Sequence, residues 1–444
     1  MSNIGNESPY NYNTKNINDL ITEAESFKAA KVDYAIDMAH LDIGGRRSEY
    51  PDMIRVPAGH RNLIDIFDPN HGKVNPAVLP LTETAAKQLA AAQGWPAAAR
   101  MVGDMLLPKM PGMFGEIVRN AREIEGHGTY ARNGAPKQML LRSILPIDGY
   151  YNEHTIRTVK GGQYEPFDGA DVLWMLKHTM DTLGNTDGHR LSLEGVRREF
   201  GGNAFIEPIE GKPPYTLYHA VHNPDRYDYL VRVNAWVYPD DGHGALNRFM
   251  PAMYVRSNDI TGASIQTGFG GLRGACLNTY RTRVRRSDIK GQDKWNPAIA
   301  HRGSHENIAV ELQKAIAGAL YAGAELAQKM VVAQLDELQK PHGLLGAVLG
   351  SILSEENYDE AMANAGIGME GQTNTWGLLN GLTYTAQHSN IPVEHRTTIE
   401  EFAGTTLNRI DSALENGHVT DKSIARLFSR VLPEMAELEE EAEW

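Results

Sequence analysis

The sequence predicts an α+β protein: an antiparallel sheet with a hairpin packed on a long helix, followed by a helical C-terminal region. Three stretches carry that expectation. Residues 227–238 (YDYLVRVNAWVY) place Tyr229, Val231, Val233, Ala235 and Val237 on one face, the period of a strand. Met253 to Val255 and Ala263 to Phe269 read as two strands around the turn Asn258-Asp259-Ile260-Thr261-Gly262, a hairpin pattern. Ile308, Leu312, Ile316 and Leu320 then recur at every fourth position behind the N-cap residue Ser304, with Glu306 favouring the helix dipole. Alanines and glycines from Ala315 to Ala324 keep this helix narrow enough for close packing, and Pro341 stops it.

In chain order, residues 1–20 are rich in Asn, Ser and Tyr without periodicity and read as a flexible arm. An α+β core spans 21–345. It opens with strand patterns at KVDYAIDMAHL, MIRVPAG and NLIDIF, between Lys28 and Phe67. Thr82 is placed to cap a helix starting at Glu83 and ending near Gly94, and Gly115 to Glu125 reads as a second helix. Lys137 to Ile147 reads as a strand and Glu165 to Leu183 as a helix. A helical region covers 346–432: Ser354 to about Ala365, Thr375 to His388, a segment with Thr397 and Glu400 in a capping box, and about Asp421 to Leu432. Residues 433–444 form an acidic tail.

At 444 residues the chain has ample material for a core, and its 41% apolar and 22% charged residues are those of an ordinary soluble protein. No apolar run reaches bilayer length, and the asparagine-rich N-terminus is not a secretory signal. Cys276 is the only cysteine, which excludes intrachain disulfides and multi-cysteine zinc sites. The expected location is the cytoplasm. Net charge is −13, unevenly spread. From Leu272 to Arg302 eight basic residues (Arg273, Arg281, Arg283, Arg285, Arg286, Lys290, Lys294, Arg302) face two acidic ones, Asp288 and Asp293. That window carries +6. The end, PEMAELEEEAEW, holds only acids. Such asymmetry is more informative than the total.

Arginines neutralise phosphates with release of counterions, and aromatic rings stack on bases for about 1–3 kcal/mol each. Tyr280 and Trp295 beside the arginines therefore make the window a candidate groove for single-stranded DNA. The plain alternative is a solvated loop whose charges pair with acidic neighbours. The acidic tail ending in Trp444 is suited to contact a partner protein or its own basic groove when DNA is absent.

Other chemistry is thin. The glycines of GFGGLRG (268–274) do not match a dinucleotide or P-loop spacing, so close backbone packing is the better reading and an ATP-driven machine is disfavoured. Asp240, Asp241 and His243, or His301 and His305, have metal-ligand character but lack a third ligand in a known spacing. Cys276 sits in an apolar context and reads as a small hydrophobe. No catalytic motif is found and no metal or cofactor is expected, so the chain reads as a non-enzyme.

The run YVRSNDITGASIQTGFGGLRGACLN, with Asn258, Gly262, Arg273, Cys276 and Asn278, resembles a signature of the phage/plasmid-like family of unknown function (domain of unknown function 932). His301 and Gly303 before the long helix, and Trp376, Asn380, Thr383 and His388 later, continue the likeness, which covers roughly 220–415. It implies a phage or plasmid origin and a bacterial host cytoplasm. More remotely, the hairpin followed by a small-residue helix is similar to the core of single-strand DNA annealing proteins. That likeness implies ATP-independent DNA annealing in recombination by a homo-oligomer, a ring or filament. The DNA-contacting set expected is Arg273, Tyr280, Arg281, Arg283, Arg285, Arg286, Lys290, Lys294, Trp295 and Arg302. The alternative is a phage protein that binds a host defence or replication partner without annealing DNA.

Overall fold

The structure, a computed structural model, describes residues 13–56, 77–92, 101–102, 109–125, 137–185, 204–239, 249–261, 264–273, 279–282, 297–335, 363, 375–388, 396–397 and 399–404. The first half runs β1 (Asn13–Thr14), α1 (Ile17–Ala29), β2 (Lys31–Asp37), β3 (Asp42–Ile43), β4 (Ile54–Val56), β5 (Ala77–Leu79), α2 (Glu83–Ala92), α3 (Met113–Glu125), β6 (Gln138–Ile144), β7 (Thr155–Gly161) and α4 (Gly169–Asn185). The second runs β8 (Ala204–Pro208), β9 (Tyr215–His222), β10 (Arg226–Val233), β11 (Ala235–Pro239), β12 (Phe249–Asn258), β13 (Ile265–Arg273), β14 (Thr279–Thr282), β15 (Ala298–Ile299), α5 (His305–Leu335) and α6 (Thr375–His388). Antiparallel pairing and helices in both halves give the α+β class, and α6 and helical residues 399–404 lie in the C-terminal region.

Among the described residues the strands form three sheets. The large one has nine strands, in the order β1-β9-β10-β12-β11-β8 with β13 on the other side of β12 and both β14 and β15 on β13. The two small ones are β2-β6-β7 and β3-β4-β5. The hairpin β12–β13 pairs Phe249 with Arg273 at its base and Arg256 with Gln266 near its turn, and α5 packs against both strands. Both strands are longer than the sequence pattern implies. Ser304 caps α5, its Oγ accepting from the Asn307 N–H at 3.2 Å, and Ile308, Leu312 and Ile316 are buried. Thr82 caps α2 in the same way, accepting from Ala85 N–H at 3.1 Å.

Two elements differ from expectation. The polar arm is, from Asn13 onward, part of the fold: Asn13 and Thr14 pair with His219 and Tyr218, and α1 follows. The asparagine that made the stretch look unstructured is a helix cap, because Asn16 Oδ1 accepts from Asn18 N–H at 2.9 Å. Behind it Leu20, Ile21, Ala24 and Phe27 bury one face of α1. The long strand expected at 227–238 is broken into β10 and β11 at Asn234. That side chain is buried, donating to Pro213 O and Thr216 Oγ1, both at 2.6 Å, and accepting from Arg232 Nε.

One apolar core lies under the two small sheets, where Tyr34, Ile36, Ile54, Leu89, Phe114, Leu141 and Ile156 meet. A second covers one face of the large sheet with Tyr218, Leu230, Met250, Ala252 and Tyr254. The helices expected at Ser354–Ala365 and beyond 420, the NLIDIF strand and the acidic tail lie outside the described residues.

Candidate functional site

Strands β6 and β7 each carry an arginine within a buried run: Arg142 and Arg157, both with no exposed surface. A guanidinium cannot be desolvated alone, so each must find carboxylates. Two turns at the same end of the large sheet deliver them. In the β9–β10 turn Asn223 Oδ1 accepts from Asp225 and Arg226 N–H, and in the β12–β13 turn Asn258 Oδ1 accepts from Ile260 and Thr261 N–H. Each Asn orders its turn and leaves the following Asp pointing at the small sheet. Arg157 spans both, with Nη1 to Asp225 at 2.9 Å and Nη2 to Asp259 at 2.9 Å. Asp259 also accepts from Arg142 Nη1 at 2.8 Å, Lys31 Nζ at 3.0 Å and Tyr164 Oη at 2.9 Å. Asp33 and Asp168 complete the set on Arg142 and Lys31.

The turn's backbone is held as well. Ile260 O accepts from Lys160 Nζ at 3.2 Å, from Thr158 Oγ1 at 3.1 Å and from the Gln88 side chain. The hairpin tip is thus latched into a socket on the small sheet.

Charge shifts follow from this enclosure. Burial pushes the Asp259 carboxyl up, but Arg142, Lys31 and Arg157 outweigh it and hold it well below the ordinary carboxylate value. Burial likewise pulls Arg142 down, and Asp168, Asp259 and Asp33 reverse that and hold it well above. At Asp33 burial wins over Arg142 and raises the carboxyl. Lys160 is pushed down to about 8 by burial, with Asp259 opposing. A narrow cleft opens beside Lys31, Asp168, Asp225, His222 and Tyr227, with room for roughly one water-sized group. The arrangement fastens two sheets together.

A different concentration of charge lies on the large sheet. Pairing places Asp228, Arg256 and Gln266 in one cross-strand row, and Leu230, Tyr254 and Gly268 in the next on the same face. Arg281 of β14 stands on that face opposite Gly270. Tyr254 packs over Gly268, where a Cβ would lie 2.5 Å from its ring, and the Arg281 and Arg256 guanidinium carbons sit 5.1 and 5.7 Å from its centroid. Helical residues 399–404 cover this group. Glu400 Oε2 accepts from Arg281 Nε at 2.9 Å, Glu401 pairs with Arg256, and Gly404 lies so close that a Cβ would meet Arg281 O at 2.2 Å.

The residues expected to contact DNA divide three ways. Arg281 and Tyr280 are both fully buried, with Arg281 paired to Asp228 and Glu400. The bare count of basic residues hid this because a strand side chain facing an acidic helix is neutralised internally. Arg302 is exposed, immediately before α5. The Arg273 backbone ends β13. Arg283, Arg285, Arg286, Lys290, Lys294 and Trp295 lie outside the described residues, as do Cys276, Asp240, Asp241 and His243. Among the described residues, β14 and β15 both pair with β13.

His301 and His305 face different partners. His301 is buried, stacked on Tyr164 at 4.8 Å with Nδ1 near Glu165 O. His305 lies 3.5 Å from Asp171 and packs on Phe167. Among the described residues no group of three or more His, Cys, Asp or Glu side chains is placed to hold a metal ion. Among them, too, no helix is long and apolar enough to cross a membrane.

Sequence reading missed Lys31, Arg142, Arg157 and Asp168, the partners of the Asp259 turn. A usable signal existed, since an arginine inside MLLRSI and another inside TIRTV occupy strand positions that only a buried carboxylate can satisfy. Comparison with family models, with curated proteins and with solved structures finds no match.

Proposed function

We propose that this chain binds single-stranded DNA without ATP and promotes annealing, as a homo-oligomer of phage type. One observation carries the reading. Residues 283–296 hold five basic side chains (Arg283, Arg285, Arg286, Lys290, Lys294) and Trp295, and both flanking strands pair with β13. In sequence the segment carries +3 and an aromatic ring, the combination that takes a phosphate backbone and unpaired bases. Exposed Arg302 follows it in sequence. Annealing forms no covalent bond and so needs none of the acid–base or nucleophilic groups whose motifs the sequence lacks. The packing of the β12–β13 hairpin on α5 supports the likeness to annealing proteins at the level of topology.

Fluorescence anisotropy with labelled oligodeoxythymidylate across a salt series tests the reading. Single-stranded binding is expected to weaken with salt at a slope of roughly −0.7 per phosphate neutralised. Neutralising Arg283, Arg285, Arg286 and Lys290 together should flatten that slope by roughly 3. Binding no tighter than to an uncharged polymer at about 0.1 M salt would refute it, and a partner retained from nuclease-treated host lysate would then favour a protein-binding role.

A further inference from the structure

We infer that the face built by Arg256, Tyr254 and Arg281 is a second phosphodiester-binding surface, occupied here by the chain's own Glu400 and Glu401. This rests on the single-stranded DNA reading and extends it to a surface that reading does not use.

Arg281 of β14 precedes Arg283, the first residue of the basic segment, by two positions in sequence. Its composition is what a strand of nucleic acid takes up: two guanidinium groups, 5.1 and 5.7 Å from the centroid of one tyrosine ring that packs over Gly268. Its present occupant imitates the ligand. Two consecutive carboxylates, on one short helical stretch, each take one arginine: Glu400 on Arg281 and Glu401 on Arg256. Both glutamates are buried at 1% and 5% exposure, so they are committed to these contacts and not to solvent. The covering stretch is held from below by Ile399, Phe402 and Ala403.

Asp228 remains with Arg281 whether or not the helix is in place, so that guanidinium is never stranded without a carboxylate. That removes the main cost of exchanging Glu400 for a phosphate. Arg256 keeps its Gln266 contact at 3.0 Å, and its side chain is already 25% exposed, which makes it the natural point of first contact. The exchange is a competition between two anions for the same donors. DNA bound by the basic segment that follows β14 in sequence raises the local phosphate concentration and tips it.

Hydrogen exchange of the full chain, with and without saturating oligodeoxythymidylate, tests the exchange without any mutation. The expected result is faster exchange of residues 399–404 on DNA binding, with β12 and β13 unchanged. Unchanged or slower exchange of 399–404 while DNA is bound overturns the inference and leaves the DNA reading standing. Absence of DNA binding in the same samples overturns both. As a second arm, E400Q/E401Q should bind the oligonucleotide about tenfold tighter, the effect of relieving about 1.4 kcal/mol of competition. Adding R256Q should remove most of that gain. A gain that survives R256Q, or an affinity equal to the unmodified chain's, counts against this surface.

Discussion

Replacing Asp259 by Asn tests the latch between the sheets most directly. The substitution keeps the size and removes the charge that Lys31, Arg142 and Arg157 share at 2.8–3.0 Å. Breaking a buried pair costs about 3–5 kcal/mol because a desolvated cation loses its partner. Here each cation retains another carboxylate: Asp168 for Lys31, Asp33 and Asp168 for Arg142, Asp225 for Arg157. The expected loss is therefore at the lower end, about 3 kcal/mol. With a urea dependence of about 3 kcal/mol per molar, the midpoint falls by about 1 M. The pH dependence has a definite sign. Asp259 titrates lower in the folded chain than in the unfolded one, so its contribution is complete above about pH 4 and disappears as pH falls through the depressed folded value. Asp259→Asn should lose that part of the acid sensitivity. The exposed Lys314→Gln, which breaks only a surface pair with Glu311, serves as the reference at below about 0.5 kcal/mol. Equal midpoints for the two variants would refute the latch.

Three further outcomes follow from local geometry. Gly270→Ala places a Cβ 1.9 Å from Tyr280 O and should cost about 3 kcal/mol by urea unfolding, with loss of protection at β14 amides. Thr82→Ala removes the cap of α2 and the hydroxyl bond to Arg157 O at 2.9 Å, for an expected loss of about 1–2 kcal/mol in the same assay. Proton NMR should separate two histidines. His222, pushed down to about 4 by burial, stays neutral through the physiological range, and its contribution to stability fades as pH falls from the unfolded value near 6.5 towards 4. His305, raised by its bond to Asp171, should titrate above 6.5, and its contribution is present below that value and lost as pH rises through the folded one.

Patterns set by one face of an element were legible. The stripe Ile308–Leu312–Ile316 reports burial directly, and 227–233 forms the expected strand although both of its faces are buried. Caps at Thr82 and Ser304 were legible for the same reason, being local chemistry. What composition hid was context. Asn13 to Asn16 looked like a tail because nothing local says that β9 offers an edge to pair with. The burial of Arg281 was hidden because its neutralising partners, Asp228 and Glu400, stand 53 and 119 positions away in sequence. Asp259 was read as a turn residue, which it is, but its role is set by cations on strands far from it.

The latch also sets an order of events during synthesis. Lys31, Arg142 and Arg157 leave the ribosome well before Asp259, the last of them by 102 positions. At about 5–20 residues per second that interval is about 5–20 s. Throughout it the small β2-β6-β7 sheet carries three cations meant for burial and lacks the carboxylate that binds all of them. The N-terminal half therefore cannot close its surface on its own schedule. It waits for the tip of a hairpin translated later, and long-range closure of this kind makes the last folding step a slow one.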